Sequence, residues 1–300
     1  MVGDSNPFPD KQYEEYTLKN QNLDTVRNID EQYAQGGYVL DAKSTRELNL
    51  STGAYVPVKG IYKLGWNEWK KFPAADFVEE LQAWHYEFLR DHRQEPYYPF
   101  FASAIKNGEL TLEQLKFVWR DFYYRADSIV ENYAYQIARA KPYREVRDMI
   151  ARHVFEETGH GELLADFLVK GFGMKRDELY LGQPAVKQVS KFQDFWKKIF
   201  TRGHFVEAAA ALALYEEEVP KAMRSVNEGL RKHYGLTGDS VIFFDIHTYI
   251  DIYHKRFGEY ILAQYATTKE LQEIAREAFV VVNTANHEMM KAIYEHMPRQ

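Results

Sequence analysis

The chain has 300 residues, 45% of them hydrophobic and 15% aromatic, which is the composition of a folded globular protein with a substantial core. Its formal net charge is −6 and no dense run of Lys and Arg occurs, so we expect no nucleic-acid partner. Cysteine is absent, which excludes disulfides, thiolate catalysis and cysteine-ligated clusters.

The first predicted unit is an irregular, Tyr-rich arm over residues 1–72. It opens without the basic and apolar regions of a signal peptide, and no apolar run in the chain is long enough to cross a bilayer. We therefore expect a cytoplasmic protein that does not bind membranes. Aromatic residues are scarce in disordered segments, and the arm contains six tyrosines. We interpret it as a segment that packs on the main body or on a neighbouring subunit, and we expect a homodimer.

Residues 73–300 form the second predicted unit, in which apolar residues recur at helical spacing. Neither strand alternation nor an Asn-Gly hairpin is present in this part of the sequence. Thr111 and Gln114 have the spacing of a capping box, and Gly171 and Gly173 are suited to ending a helix. The sequence predicts an all-α domain with helices over 75–90, 111–140, 142–171, 184–202, 205–234, 240–265 and 269–296.

A triplet of metal-binding residue types lies on the predicted helix 240–265. His247, Asp251 and His254 stand at i, i+4 and i+7, so a regular helix places them within about 60° of one another. Either histidine alone is better explained as a core or solvated residue, but the triplet falls on an otherwise apolar face. Two imidazoles and a carboxylate without a thiolate suit iron or manganese better than a structural zinc site. We interpret all three residues as metal ligands.

A second pair lies on the predicted helix 142–171. Glu157 and His160 have the spacing by which a helix offers a carboxylate and an imidazole to a di-iron centre. Taken alone, this motif is common on solvated helices. Glu157 shares its helix stripe with apolar residues as well as with His153, and so is expected to face inward. Glu156 stands four residues after Arg152, and we interpret it as the ion-pair partner of that arginine.

Three consecutive glutamates compete as ligands on the predicted helix 205–234. The stripe of Glu216 is apolar, whereas Glu217 has Lys221 four residues later, as on a solvated face, and Glu218 is intermediate. Pro220 lacks the N–H that would bond to the carbonyl of residue 216. A carboxylate on an apolar face needs a metal, a hydrogen bond or a proton, so Glu216 is the predicted ligand.

These helices together present three carboxylates and three imidazoles inward, enough to bind two divalent ions and leave positions for dioxygen and substrate. We expect Asp251 and His254 to complete one site and His160 and His247 the other, with two glutamates shared. The predicted ligands are Glu157, His160, Glu216, His247, Asp251 and His254.

Three segments resemble the heme-oxygenase-like di-iron oxidases and oxygenases, which are relatives of the TenA-type thiaminases and the pyrroloquinoline-quinone synthase proteins. Residues 244–254 resemble the last metal-binding helix of that family, and residues 215–220 the middle one, where a Glu stands four residues before a Pro. Residues 160–173 resemble the first. The resemblance extends over residues 75–298. The short spacing between Glu157 and His160 is closest to the branch that contains a terminal-alkene-forming fatty-acid decarboxylase.

The resemblance implies a bundle of about seven helices that binds two Fe²⁺ per chain, with O2 as co-substrate and a reductant as a further partner. It also implies oxidation of a small molecule, such as an amino acid, an amine or a fatty acid, by C–C cleavage, decarboxylation or N-oxygenation. It leaves open whether Glu156 also binds metal. Glu131 is a candidate for a further ligand, although an exposed helix position explains it equally well.

Two other functions remain open from the sequence. One is a metal-free oxidase of the pyrroloquinoline-quinone synthase kind, and the other is a non-catalytic helical interaction protein. The aromatic residues Trp119, Phe122, Tyr123 and Tyr249 are candidates to line a substrate pocket, but such residues more often belong to the core.

Overall fold

A computed structural model describes residues 68–92, 95–97, 100–140, 143–248 and 251–299. Across these residues it contains twelve α-helices and no strand. The helices are α1 (Ala75–His92), α2 (Ile105–Asn107), α3 (Leu112–Asp127), α4 (Ile129–Arg139), α5 (Arg144–Glu157), α6 (His160–Phe172), α7 (Arg176–Tyr180), α8 (Lys187–Arg202), α9 (Phe205–His233), α10 (Ile242–His247), α11 (Asp251–Tyr265) and α12 (Lys269–His296).

Local sequence signals position several helix ends as predicted. The Thr111 hydroxyl accepts a hydrogen bond from the Gln114 N–H at 3.2 Å, and the Gln114 side chain accepts one from the Thr111 N–H at 2.9 Å. This capping box starts α3. Gly173 ends α6 in the left-handed region with φ of 68°, and α12 spans the predicted range 269–296.

Three of the predicted long helices are each divided in two, at Ser128, at Gly159 and at Thr248. Gly159 adopts φ of +94°, which favours glycine and interrupts helical hydrogen bonding. The other two breaks have hydroxyl side chains that compete for backbone carbonyls: Ser128 donates to Arg125 at 3.3 Å and Thr248 donates to Phe244 at 2.9 Å. All three breaks lie beside the buried polar cluster described below.

The core consists of two clusters of apolar side chains, and α9 contributes to both. In the first cluster the buried Trp119 ring contacts Phe244 edge-on, with centroids 4.6 Å apart. Phe122 and Tyr123 belong to the same cluster, so these three candidate pocket residues are core residues. α11 crosses α9 closely at Gly258, where an added Cβ would lie 2.5 Å from the Cβ of Ala213.

The described chain begins at the end of the predicted arm, with a 3₁₀ turn over Glu68–Lys71. Phe72 packs edge-on against Tyr260, with ring centroids 5.1 Å apart, and the Ala74 N–H donates to the Ala263 carbonyl at 2.8 Å. Residues 1–67 and Tyr249 lie outside the described residues, so the arm and that pocket residue remain predictions. No helix in the described ranges is long and apolar enough to span a bilayer.

Candidate metal centre

Eight ionisable side chains from five helices meet in the interior between the two core clusters. Every one of them is at most 9% exposed. They comprise four carboxylates and four imidazoles, a concentration of polar groups that a protein core tolerates only when the groups are paired or bind an ion. The residues are His153, Glu156 and Glu157 at the end of α5, His160 at the start of α6, Glu216 in α9, His247 at the end of α10, and Asp251 and His254 at the start of α11.

The helix breaks bring these side chains together. Gly159 lets the chain turn between α5 and α6, and the His160 Nδ1 then lies 2.8 Å from the Glu157 Oε2. The break at Thr248 likewise lies between His247 at the end of α10 and the pair Asp251 and His254. Because helix ends leave backbone groups without intrahelical partners, the site combines irregular backbone with convergent side chains.

One set of ligand atoms is formed by His153, Glu157, Glu216 and His254, with one atom of each within 4.8 Å of the others. The His254 Nδ1 is 3.0 Å from Glu157 Oε1 and 3.3 Å from Glu216 Oε2. The His153 Nε2 is 3.4 Å from the same Glu157 oxygen. Asp251 borders this set, with Oδ1 3.6 Å from the His254 Nδ1.

A second set is formed by Glu157, His160 and His247, again with one atom of each within 4.8 Å of the others. The two imidazole rings have their centroids 4.6 Å apart. Glu157 belongs to both sets: one carboxylate oxygen faces His153 and His254, and the other faces His160. A carboxylate in this position is suited to bridging two metal ions.

Hydrogen bonds to the outer nitrogens orient two of the imidazoles. The His247 Nδ1 donates to the Phe243 carbonyl at 2.7 Å, which directs Nε2 towards the cluster. The His254 Nε2 lies 3.2 Å from Glu156 Oε2, which directs Nδ1 towards Glu157 and Glu216. Such outer partners fix the tautomer and ring orientation of metal-binding histidines.

The donor set fits a metal. Four buried atoms that face the cluster have no hydrogen-bond partner among the described residues, and they come from two imidazoles and two carboxylates. Unsatisfied buried polar atoms are rare in folded proteins, and a group of them converging on one point is explained by an ion that they bind. The atoms are His153 Nε2, Glu216 Oε2, Asp251 Oδ2 and His254 Nδ1.

Glu216 and Glu157 have pKa values that are shifted in opposite directions. Burial raises the pKa of the Glu216 carboxyl to about 8, although His254 works against the shift. Burial also acts to raise the pKa of Glu157, but the imidazoles of His160, His153 and His254 outweigh it and hold that pKa well below its usual range. At neutral pH and without a bound cation, Glu157 is therefore ionised and Glu216 tends to hold a proton.

The structure brings all six predicted ligands into this cluster. Glu156 was predicted to pair with Arg152, whose side chain lies outside the described part of the structure. The Glu156 side chain is 3% exposed, and its Oε2 lies 3.2 Å from the His254 Nε2. Glu131, the candidate for an additional ligand, lies on the exposed face of α4. The residue that sequence reasoning missed is His153, although its position four residues before Glu157 on the same stripe was a usable signal.

Two cavities border the cluster, and Tyr133 lines both. The Tyr133 ring lies against the His153 ring, with centroids 4.4 Å apart. The first cavity is mostly apolar, and His153 is one of the few polar side chains that line it. The second is bordered by Glu216 and Arg125. The cluster is thus buried, and two cavities lie beside it.

The sequence matches a described protein family and two named proteins. The profile of a family described as iron-containing redox enzymes matches residues 119–285. The chain is 27% identical over 189 residues to a 4-aminobenzoate synthase of Nitrosomonas europaea, a match that covers 58% of this chain and 75% of that protein. A 4-aminobenzoate synthase of Chlamydia trachomatis is 26% identical over 160 residues, covering 52% and 68%.

Solved structures with a similar fold confirm the architecture. A domain with a heme oxygenase-like fold from Shewanella denitrificans superposes with a TM-score of 0.60 at 16% identity, covering 72% of this chain and 90% of that one. A TenA homologue from Pseudomonas syringae pv. tomato superposes with a TM-score of 0.59 at 12% identity, covering 81% and 99%. The resemblance inferred from the motifs, and the all-helical heme-oxygenase-like fold, are therefore confirmed.

Proposed function

Because the chain belongs to the family of iron-containing redox enzymes, we propose that it is an oxidoreductase that binds two Fe²⁺ ions in the buried cluster and uses O2 to oxidise a small organic molecule. The observation that carries the proposal is the pair of ligand sets that share Glu157. Two ions joined by a carboxylate are a recurrent arrangement in helical di-iron proteins.

The ligand assignment follows the two sets. His153, Glu216, Asp251 and His254 would hold the first ion, His160 and His247 would hold the second, and Glu157, which belongs to both sets, would contribute to each. This differs from the sequence prediction in adding His153 and in sharing one glutamate instead of two. Glu156 acts as the outer partner that orients His254.

The negative charge of the cluster is suited to binding two divalent cations. Its four carboxylates, when ionised, balance two divalent cations in an interior where an uncompensated charge is costly. Bound iron supplies the electron-transfer chemistry by which O2 is reduced. The protein contributes the rest: the helices exclude water from the cluster, and Glu216 is the carboxyl that holds a proton until a cation displaces it.

The candidate reactions are those that a family of this kind performs on amino acids, amines or fatty acids, namely C–C cleavage, decarboxylation and N-oxygenation. The similar proteins are named 4-aminobenzoate synthases, so formation of an aminobenzoate is added as a candidate. A reductant is proposed as a partner, because reduction of O2 consumes more electrons than a two-electron oxidation of substrate supplies when water is the product.

The test compares iron-loaded and metal-free protein in an oxygen electrode with a panel of amino acids, amines, fatty acids and aminobenzoate precursors. We expect uptake of O2 with at least one substrate in the iron-loaded protein, and at least about tenfold slower uptake in metal-free protein. Equal uptake by both forms would favour the metal-free oxidase instead. Normal iron content with no uptake for any substrate, with and without a reductant, would favour a non-catalytic role.

A further inference from the structure

The second cavity is built around one arginine and a wall of aromatic rings. Its lining comes from the break between α3 and α4, from α8 and from α9, and Glu216 forms the end next to the metal ligands. Arg125 and Glu216 both line this cavity, so a molecule within it can contact the guanidinium and a carboxylate of the metal centre.

Arg125 provides the positive charge of this cavity. Its guanidinium carbon lies 5.2 Å from the centre of the Phe122 ring and 5.4 Å from the centre of the Phe192 ring, both within cation–π distance. Burial lowers the pKa of Arg125 to about 10, with Tyr133 and the carboxylates of the cluster acting in the opposite direction. The side chain is therefore still charged at neutral pH. A guanidinium is the side chain best suited to bind a carboxylate through two parallel hydrogen bonds.

Aromatic side chains line part of the cavity beside Arg125. Phe192 and Trp196 stack with ring centroids 5.6 Å apart and planes inclined by 26°. Trp196 stacks in turn on Phe200, at 5.0 Å and 25°. Tyr133 packs against Phe200 from α4, with centroids 4.8 Å apart. Of these rings, Tyr133, Phe192 and Trp196 line the cavity, and an aromatic ligand packed against them gains energy beyond the area it buries.

We propose that this cavity binds an aromatic carboxylate, with its carboxylate on Arg125, its ring against Phe192 and Trp196, and its opposite end at Glu216 beside the metal centre. The proposal rests on the proposed function, because the end at Glu216 is the end that is oxidised. Among the residues lining the cavity, Glu216 is the single acid. An α-amino acid would place its ammonium near Arg125, where no carboxylate of the lining lies to receive it, so an amino group at the far end of the ring fits better.

The test is calorimetric titration of the iron-loaded protein under anaerobic conditions with benzoate, benzamide and octanoate. Benzamide keeps the ring and removes the charge, and octanoate keeps the charge and removes the ring. We expect benzoate to bind at least about tenfold more tightly than either. Arg125→Met should abolish the preference for benzoate over benzamide, and Arg125→Lys should restore part of it. Arg90→Met is the matched control, because Arg90 is an exposed arginine of α1 whose side chain is 70% accessible.

Iron content is measured on the same samples. Removing a positive charge near the cluster does not weaken cation binding, so Arg125→Met should retain the iron of the wild-type chain. Benzoate that binds no better than benzamide, or a preference that survives in Arg125→Met, would overturn the proposal, since the carboxylate would then lie elsewhere or on iron. Octanoate that binds as well as benzoate would overturn the aromatic assignment. Wild-type protein without iron would refute the di-iron function instead, and the same titrations on it would still report on Arg125.

Discussion

Replacing Glu157 by glutamine removes a charge from both ligand sets at once. In the structure the two carboxylate oxygens of Glu157 face opposite sides: Oε1 is 3.0 Å from the His254 Nδ1 and Oε2 is 2.8 Å from the His160 Nδ1. A glutamine keeps the size of the side chain but has one oxygen and one NH2 group. Whichever way the amide turns, one set loses an oxygen ligand and both sets lose the negative charge.

The magnitude follows from the spacing of the ligands. An ion bound by atoms that all lie within 4.8 Å of one another is closer than that to the Glu157 carboxylate. One pair of unit charges about 4 Å apart contributes about 4 kcal/mol at an effective dielectric constant of 20, which corresponds to roughly a thousandfold in affinity. Iron has two charges, and rearrangement of water and neighbours offsets part of the loss. We therefore expect Glu157→Gln to weaken iron binding by at least about 100-fold at each site.

The assay is anaerobic titration with ferrous iron, with bound metal measured after gel filtration and folding monitored by far-ultraviolet circular dichroism. Glu157→Gln should keep its helical signal and retain less than one iron in two chains after filtration, where the wild type retains two per chain. Retention of two irons by the variant would refute the bridging role. Retention of one would mean that Glu157 serves a single site.

Three further substitutions give independent tests. Glu216→Gln should lose the iron of the first set and keep the other, while Glu228→Gln, an exposed position on the same helix that pairs with a lysine at 3.1 Å, should keep both by metal analysis. Gly159→Ala meets no atom within 4 Å, so its cost is that of a left-handed backbone at φ of +94°, roughly 1–2 kcal/mol by chemical denaturation. Burial lowers the pKa of His204 to about 3, so the stability that its neutral ring supports is present above pH 6.5 and is lost as pH falls. His204 caps the start of α9, where its Nδ1 accepts a hydrogen bond from the Val206 N–H at 3.1 Å. His204→Asn keeps a capping side chain that does not titrate, and its unfolding free energy should fall less steeply below pH 6.5, by up to about 1.4 kcal/mol per pH unit.

Each of these results has a clear contrary outcome. Equal iron loss in Glu216→Gln and Glu228→Gln would remove the first from the ligand set. An unchanged free energy of unfolding in Gly159→Ala would show that the left-handed turn is not required. Parallel pH profiles for the wild type and His204→Asn would show that the His204 ring has the same pKa in the folded and unfolded chain.

The fold was largely accessible from the sequence because its helix signals are local. The apolar period and the capping box at Thr111 involve residues a few positions apart, and they predicted an all-helical domain and several helix ends correctly. The breaks at Ser128, Gly159 and Thr248 were missed because the apolar period continues across them. A single serine or glycine inside a helical pattern is tolerated as often as it ends a helix, so tertiary packing decides.

Site residues could be predicted from the sequence where the apolar face of a single helix is unambiguous. Glu216 stands on an apolar stripe and is buried as predicted, as is Asp251 between its two histidines. Contacts that cross between helices could not be predicted from the face of a single helix. Glu156 pairs with His254 across 98 residues of sequence, which no local spacing reveals, and the exposure of Glu131 depends on how α4 is rotated. Whether Glu157 belongs to one ligand set or both depends on the turn at Gly159.

The most direct test of the di-iron centre is the number of ferrous ions that the wild-type chain binds. Metal-free protein is titrated anaerobically with Fe²⁺, and bound iron is determined by inductively coupled plasma mass spectrometry against protein concentration from amino-acid analysis. Two sets of ligands that share Glu157 predict two irons per chain, with Mössbauer spectra of the oxidised form showing a coupled pair. Saturation at one iron, or two irons whose spectra show no coupling, would contradict a carboxylate-bridged centre, and failure to bind iron would refute it.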